Sequence, residues 1–533
     1  MKTFLKPFEE MPQIEELREH LKKDKRIYEV SGLIDSLKPH LIYGIGYDVP
    51  IKLIVTFDEM RAKQIYEGYQ FFDENTLYYP ARDLLFYQSD IHSNALTRER
   101  LSVVQALIEH RPVTVVTTMD ALMNRVPPLS SYERGIFTID LEETVDLEEM
   151  RKKLVMLGYE NVTQVEHPGE FAVRGGIVDI FPLTEEHPIR MELWGDEIDS
   201  LRYFDVATQK SIDSVEHVTV YPAMELVLTP EEIETGLKRM ESDAEELYQK
   251  YRSQMRTEEA HRIKTGVEQL ATETREWGLG LGLETHLNYF VSQTESLLSY
   301  FPPETLVFLD ELVHLDEKGK VIEQEFSDSM TSRLEKGYCL PGQLEMLLTT
   351  KSVFAMLQKH PGVVLSTLDS REGLLSIAGH TGVRAVSVGA YNNQFELLVK
   401  DLKRFKDRKY RILLLSPSRT RGNHLAENLM DQDLNAFFSE DYDHEIYPGE
   451  IMVSVGNLAR GYEFPESSFV ILSEQDIFGS RARRKKKKTR KYEGEQIAGL
   501  SDLTIGDYVV HENHGLGIYQ GFEKIEVDKV VKD

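Results

Sequence analysis

The residues best suited to chemistry in this 533-residue chain fall into three groups, and the first is a near miss. Gly32-Leu33-Ile34-Asp35-Ser36-Leu37-Lys38-Pro39 is the stretch nearest to a phosphate-binding loop. Such a loop needs G-x-x-x-x-G-K-[ST]: glycines admit phosphate to the backbone amides, lysine neutralises it, and a hydroxyl holds magnesium. Here Leu37 stands in place of the second glycine, Pro39 removes both the hydroxyl and an amide donor, and Asp35 adds negative charge where phosphate would sit. Asp310-Glu311 has the look of the acidic pair that would hold magnesium, but without a phosphate cradle it reads as a strand end. Other signals are weaker. Gly44-Ile45-Gly46 lacks the third glycine of a dinucleotide fingerprint, and Gly278, Gly280 and Gly282 read as a helix stop. His511 and His514 have metal-like spacing with no Cys or third His nearby. The chain has neither an H-E-x-x-H nor a G-x-S-x-G motif, and its single cysteine, Cys339, gives no basis for a disulfide or a cysteine metal cage. No catalytic residue, cofactor site or metal site is expected.

The second group suits recognition. In a strand from Ile189 to Trp194, alternation puts Ile189, Met191 and Leu193 on the buried face and Arg190, Glu192 and Trp194 on the other. In a neighbouring strand Phe171 and Val173 face in, so Arg174 faces out with Glu170. Arg and Trp are enriched in binding hot spots because they join large contact area to directed hydrogen bonds. The competing reading is structural: Trp194 caps a core edge and the arginines pair with Glu170 and Glu192. The third group is the basic run Arg481 to Lys491, which reads as a solvated linker or a phosphate contact.

The elements that must position these residues are α/β at the start. Leu53 to Thr56 and Val113 to Thr117 are buried-type strands, and Arg98 to His110 supplies an amphipathic helix. From about Ile136 the pattern turns to β, with close-spaced strands at 171–173, 177–181, 189–194 and 201–204. Thr229-Pro230-Glu231-Glu232 is a capping box opening a helical stretch, and the chain returns to a strand at Thr305 to Glu311. A further α/β unit, with strands at 362–365, 411–415, 451–455 and 469–472, spans about Lys351 to Ser480. Gly506 to Val527 begins a β-meander. Length alone argues for several domains. Net charge is −28, from 62 basic and 90 acidic residues, which disfavours broad nucleic-acid binding. No apolar run reaches membrane-spanning length and the start is no signal peptide, so a soluble, cytoplasmic protein with no membrane contact is expected.

Two stretches carry a resemblance. His167-Pro168-Gly169-Glu170-Phe171-Ala172-Val173-Arg174-Gly175-Gly176-Ile177-Val178-Asp179-Ile180-Phe181-Pro182 resembles the β-rich insert shared by the excision-repair protein UvrB and the transcription-repair coupling factors. Gly195 to Asp205 continues that likeness. Gly506-Asp507-Tyr508-Val509-Val510-His511-Glu512-Asn513-His514-Gly515-Leu516-Gly517-Ile518-Tyr519 resembles the opening of the RNA-polymerase-binding barrel of coupling factors and CarD-type regulators. Only the coupling factors carry both in this order, and the likeness extends over essentially the whole chain.

The resemblance implies an α/β multidomain protein: a degenerate RecA/helicase-like UvrB-homology module in two halves (1–130 and 219–350), a β-rich UvrA-binding insert (131–218), and a second α/β domain (351–480). A basic linker (481–500) and the start of a small CarD-like β-barrel (501–533) would follow. The family senses stalled RNA polymerase, displaces it with an ATP-driven DNA translocase and recruits UvrA. This chain would be its N-terminal part, with the motor, its ATP and its Mg beyond residue 533, and no enzyme in itself. Carried over residue by residue, UvrA would be met by Arg174, Arg190 and Trp194, the last at a position where the family often has Phe. The polymerase β subunit would be met by an apolar contact near Ile525. The aromatic DNA-clamping hairpin of UvrB would be replaced by a short connection, about Pro80 to Thr97. DNA would be engaged through the motor, with the basic run as a weaker contact. The family's recruiting surface is masked by a C-terminal domain at rest, so this chain is expected to bind UvrA without activation. The alternatives are a UvrB-like ATP-dependent damage binder and a nucleic-acid binder acting through the basic run.

Overall fold

Apolar β-branched runs that alternate with helical segments, buried on both faces, build the first sheet of the computed structural model. It describes residues 1–82, 94–277, 283–368 and 375–479, together with four short strands beyond residue 507. Seven parallel strands lie in the order Ile377–Gly382, Ile27–Ser31, Gly362–Leu365, Leu306–Asp310, Ile51–Thr56, Val113–Thr118 and Thr76–Tyr79. Every residue of Ile51–Thr56, Val113–Thr118 and Leu306–Asp310 is buried, as expected of strands covered by helices on both sides. Alternation divides them between two cores. Ile54, Val116, Phe308 and Val363 face one, while Leu53, Val55, Val115 and Leu309 face the other. The helix expected at 98–110 runs Asn94–Ile108.

Gly362–Leu365, expected in the second α/β unit, instead pairs with Ile27–Ser31 on one side and Leu306–Asp310 on the other. The expected boundary at 350/351 therefore cuts the first sheet, which takes in a further strand at Ile377–Gly382. A four-residue apolar run carries burial but no address: it fits the middle of any parallel sheet, and only long-range packing selects which.

Between the halves of this sheet sits a six-stranded, largely antiparallel meander, ordered Ser211–Ser214, Glu197–Phe204, Ile189–Trp194, Ile177–Ile180, Glu170–Arg174 and Glu160–Asn161. A buried ion cluster fastens its exit to the body. The Glu225 carboxylate accepts from Arg100 Nε at 2.9 Å and from Arg82, and Arg100 also donates to the Pro80 carbonyl at 2.8 Å. Burial raises the Glu225 carboxyl, yet the two guanidiniums overcome it and hold the group below its ordinary range. Thr229 then caps Pro230–Ser253 with the expected reciprocal box: Glu232 N donates to Thr229 Oγ1 at 3.2 Å and Thr229 N to Glu232 Oε2 at 2.8 Å. That helix packs along Thr257–Trp277, which continues through Gly266 without a break.

A second mixed sheet follows, ordered Val386–Ser387, Tyr462–Phe464, Phe469–Leu472, Arg411–Ser416, Ile451–Val455 and Ala436–Phe438. It shares a core with the first, through the N-terminal helices. Phe4, Phe8, Leu41 and Phe72 pack with Leu413, Met452, Phe464 and Phe469. His40 lies in this seam, stacked on Phe72 with ring centroids 5.2 Å apart. Its Nε2–H donates to the Phe4 carbonyl at 2.7 Å, and its Nδ1 accepts from the Tyr462 hydroxyl at 2.8 Å. Arg411 clasps Glu10, and Thr3 Oγ1 donates to the Tyr442 carbonyl at 2.8 Å.

The strands beyond residue 507 belong to a unit of their own. They form two hairpins, Tyr508–His511 with Gly515–Ile518 and Ile525–Val527 with Val530–Lys532. Ile525 opens its strand, and His511 closes one. The basic run Arg481 to Lys491, His514, Gly278 to Gly282, and residues 83–93 of the Pro80 to Thr97 connection lie outside the described residues.

Candidate docking site and the Lys38 charge cluster

The candidate site is built on two adjacent tight hairpins of the insert. Arg174 pairs with Ile177 across Gly175-Gly176, and Trp194 pairs with Glu197 across Gly195-Asp196. Gly175 and Gly195 adopt φ of +61° and +70°, the left-handed backbone that two-residue hairpin loops require and glycine supplies without strain. Both turns lie at the same end of the meander. Leu193 N donates to the Gly176 carbonyl at 2.7 Å, tying the turn after Arg174 to the residue before Trp194.

Alternation holds as expected for the core face: Ile189 and Met191 are fully buried and Phe171 joins them. On the opposite face the residues expected to meet a partner divide. Trp194 is 83% exposed, so it caps no core edge. Arg174 and Arg190 are brought together by Asp179, a residue outside the expected set. Asp179, only 1% exposed, accepts from Arg190 Nε at 2.7 Å and Nη2 at 2.8 Å, and from Arg174 Nη2 at 2.6 Å. Arg190 Nη2 also donates to Gln209 Oε1 at 2.8 Å, and the guanidinium lies 4.2 Å from the centre of the Phe204 ring.

The pairing of these arginines with Glu170 and Glu192, the competing structural reading, does not occur. Glu170 turns back to accept from the backbone N–H of Glu166 and His167, at 2.7 and 2.9 Å. Glu192 is held by Arg202, whose hydrogen bond is the main reason its carboxyl sits below the ordinary range, and by Ser200 at 3.1 Å. Asp179 was legible in principle. It interrupts the apolar run Ile177 to Phe181 with a charge, and its register opposite Arg190 puts both on one face. The result is a rigid polar platform in which three guanidiniums are fixed by two carboxylates, with a bare indole at its edge. Fixed cations and an exposed aromatic can recognise an acidic or amide-bearing protein surface at low ordering cost.

The nucleotide-loop candidate is built differently. Leu33 and Leu37, which occupy the loop that would cradle phosphate, are buried in the core. Lys38 is fully buried, and its Nζ donates to Asp310 Oδ1 at 2.7 Å and Glu311 Oε1 at 2.6 Å. Arg61 completes the cluster, donating from Nε to Asp310 Oδ2 at 2.7 Å and from Nη2 to Asp35 at 2.6 Å. Burial works to lower the Lys38 ammonium, but Asp310 and Glu311 prevail and it is raised. The lysine that would meet phosphate and the carboxylates that would meet magnesium have thus neutralised one another. A cleft of about 560 Å³ remains at these strand ends, lined by Asp35, Asp58, Arg61, Glu311, His314 and Thr367. Its carboxylates oppose a polyphosphate. Among the described residues no group of three or more His, Cys, Asp or Glu could hold a metal, and no helix is long and apolar enough to cross a membrane.

Comparison with known proteins follows this division. A family model described as the UvrB interaction domain matches residues 137–226, and one described as the CarD-like/TRCF RID domain matches 503–533. The transcription-repair-coupling factor of Bacillus subtilis (strain 168) is 29% identical over 521 residues, covering 95% of this chain and 44% of its own length. That of Staphylococcus haemolyticus (strain JCSC1435) is 27% identical over 533 residues, covering 97% of this chain and 45% of its own. The chain spans less than half the length of the curated relatives it matches. It matches the UvrB interaction domain and CarD-like/TRCF RID domain models in one polypeptide, and along nearly its whole length it is similar to transcription-repair-coupling factors.

Proposed function

We propose that this chain is the protein-docking part of a transcription-repair coupling factor. Its insert recruits UvrA to a lesion, and the segment from Ser501 engages the RNA polymerase β subunit, with Ile525 as an apolar contact. The whole protein would displace stalled polymerase in the cytoplasm with an ATP-driven translocase that lies outside residues 1–533. The observation that carries the UvrA assignment is the pairing of an 83% exposed Trp194 with two arginines locked by a buried Asp179, all inside the matched 137–226 segment. Trp194, Arg174 and Arg190 are the contact residues in this reading, and Asp179 positions the arginines.

The chain itself is proposed to work without ATP or magnesium, because the Lys38–Asp310–Glu311 cluster takes up the groups that would hold them. A UvrB-like ATP-dependent damage binder needs those groups free. Isothermal titration of purified UvrA into this chain, with and without Mg-ATP, tests the proposal. Micromolar or tighter binding unaffected by nucleotide is expected, and no binding overturns the reading.

A further inference from the structure

In a chain with a net charge of −28, cations are unusually concentrated on one helix and its exit. Seven of the twelve residues Lys400 to Arg411 are basic and two are acidic. The helix Phe395–Asp407 buries Leu398, Val399, Leu402 and Phe405 against the second sheet, and this fixes which side faces solvent. Lys400, Lys403 and Arg404 are exposed on that side, and Arg408 and Lys409 are exposed just past its end. Arg404 pairs with Asp401 at 3.2 Å, and Arg411 is buried against Glu10. Among the described residues, Lys400, Lys403, Arg408 and Lys409 form no ion pair. The other acids of this segment are Glu396 and Asp407, and Glu463 of the neighbouring strand accepts from the Tyr410 hydroxyl at 2.7 Å, which leaves the segment with a positive excess.

Cations near a helix C-terminus offset its dipole, worth about 0.3–1 kcal/mol each within the last turn. That accounts for Lys406, Arg408 and Lys409 but not for Lys400 and Lys403, which lie earlier. The apolar content of the face is slight. Leu397, at the N-terminal end, is its one exposed large hydrophobic residue. A protein-binding hot spot needs buried aromatic or apolar anchors, and this face has none. A phosphate backbone needs only positioned cations. Residues 400–407 cover about 10 Å of helix axis, the length over which one DNA strand sets about three phosphates.

We propose that this face is a sequence-independent contact for the phosphate backbone of duplex DNA, held by Lys400, Lys403, Arg408 and Lys409. It would be separate from the UvrA-docking platform, and it is a different stretch of sequence from the basic run Arg481 to Lys491. The rest of so acidic a surface repels DNA, so the contact would also orient the chain on the duplex.

The test is fluorescence anisotropy of a labelled mixed-sequence duplex with the whole chain at several salt concentrations. The parent is compared with Lys400→Gln/Lys403→Gln/Lys409→Gln and, separately, with Lys485→Gln/Lys486→Gln/Lys487→Gln/Lys488→Gln. Glutamine keeps helix propensity, so folding is preserved and checked by circular dichroism. The proposal expects salt-dependent binding by the parent. It expects at least tenfold weakening in the helix variant, with the log–log salt slope reduced by about three. Equal binding by parent and helix variant, loss only in the 485–488 variant, or no DNA binding by the parent would each overturn it.

Discussion

Trp194 offers the sharpest test of the docking surface, because its exposure separates binding from folding. An indole side chain presents about 200 Å² or more, and at 83% exposure most of it faces water. Covering that area in a complex is worth about 4 kcal/mol at ~25 cal/mol per Å². Fixing the side chain returns about 1 kcal/mol of this. Trp194→Ala should therefore cost about 2–3 kcal/mol of UvrA affinity, roughly a 30- to 150-fold rise in Kd. The same change should leave stability within about 0.5 kcal/mol, since an exposed side chain gives up little packing. Titration calorimetry with UvrA measures the first quantity and a urea melt the second. A variant with an unchanged melt and less than about a threefold change in Kd would refute the assignment of Trp194 as an anchor. A large fall in stability would instead show that the indole packs in solution in a way its exposure denies.

Other consequences follow from the same geometry. Asp179→Asn keeps shape but removes the charge that fixes Arg174 and Arg190, so stability should fall by about 1–3 kcal/mol and UvrA affinity with it; destabilisation without any affinity change would mean that arginine orientation does not matter. Lys38→Met leaves Glu311 and part of Asp310 without their buried cation, and a urea melt should register a loss of about 3 kcal/mol, against almost nothing were the cluster solvated. His40 has its pKa pushed down to about 3 by burial, so between pH 6.5 and that value the unfolded chain binds a proton the folded chain excludes. Its contribution to stability is complete above pH 6.5 and lost as pH falls, reaching about 3 kcal/mol of destabilisation by pH 4. Comparing the pH dependence of urea melts for the parent and His40→Gln isolates it, and identical slopes would contradict the buried neutral imidazole.

Much of this architecture is legible in the residues because local rules and global structure agree. Ile51–Thr56 and Val113–Thr118 read as buried parallel strands, and Thr229 to Glu232 reads as a helix start, from side-chain type and spacing alone. The sheet to which Gly362–Leu365 belongs is not legible locally, because its neighbours, Ile27–Ser31 and Leu306–Asp310, are distant in sequence and leave no local trace. The site shows the same split. The outward direction of Arg174, Arg190 and Trp194 follows from a period of two, whereas their partners do not. Nearness along the strands suggested Glu170 and Glu192; the cross-strand register supplied Asp179 instead. The defect in the Gly32 to Pro39 loop could be read directly, but not that Lys38, Asp310, Glu311 and Arg61 would close the gap with a charge cluster of their own.

The aromatic seam around His40 has a mechanical meaning. The two α/β sheets are joined along the chain by a short connection after Gly382, yet Phe4, Phe8, Phe72, Phe464 and Phe469 interlock them from positions hundreds of residues apart. Tension on either sheet would be resisted by many contacts shearing together rather than by one strand of backbone peeling away. The two sheets therefore behave as one stiff body, not as two domains on a tether. The insert is tied to that body by the Glu225 cluster, by the Tyr221 hydroxyl donating to Glu109 at 2.6 Å and by Leu183 in the core of the first sheet, so a load on its hairpin tips would pass into the same body.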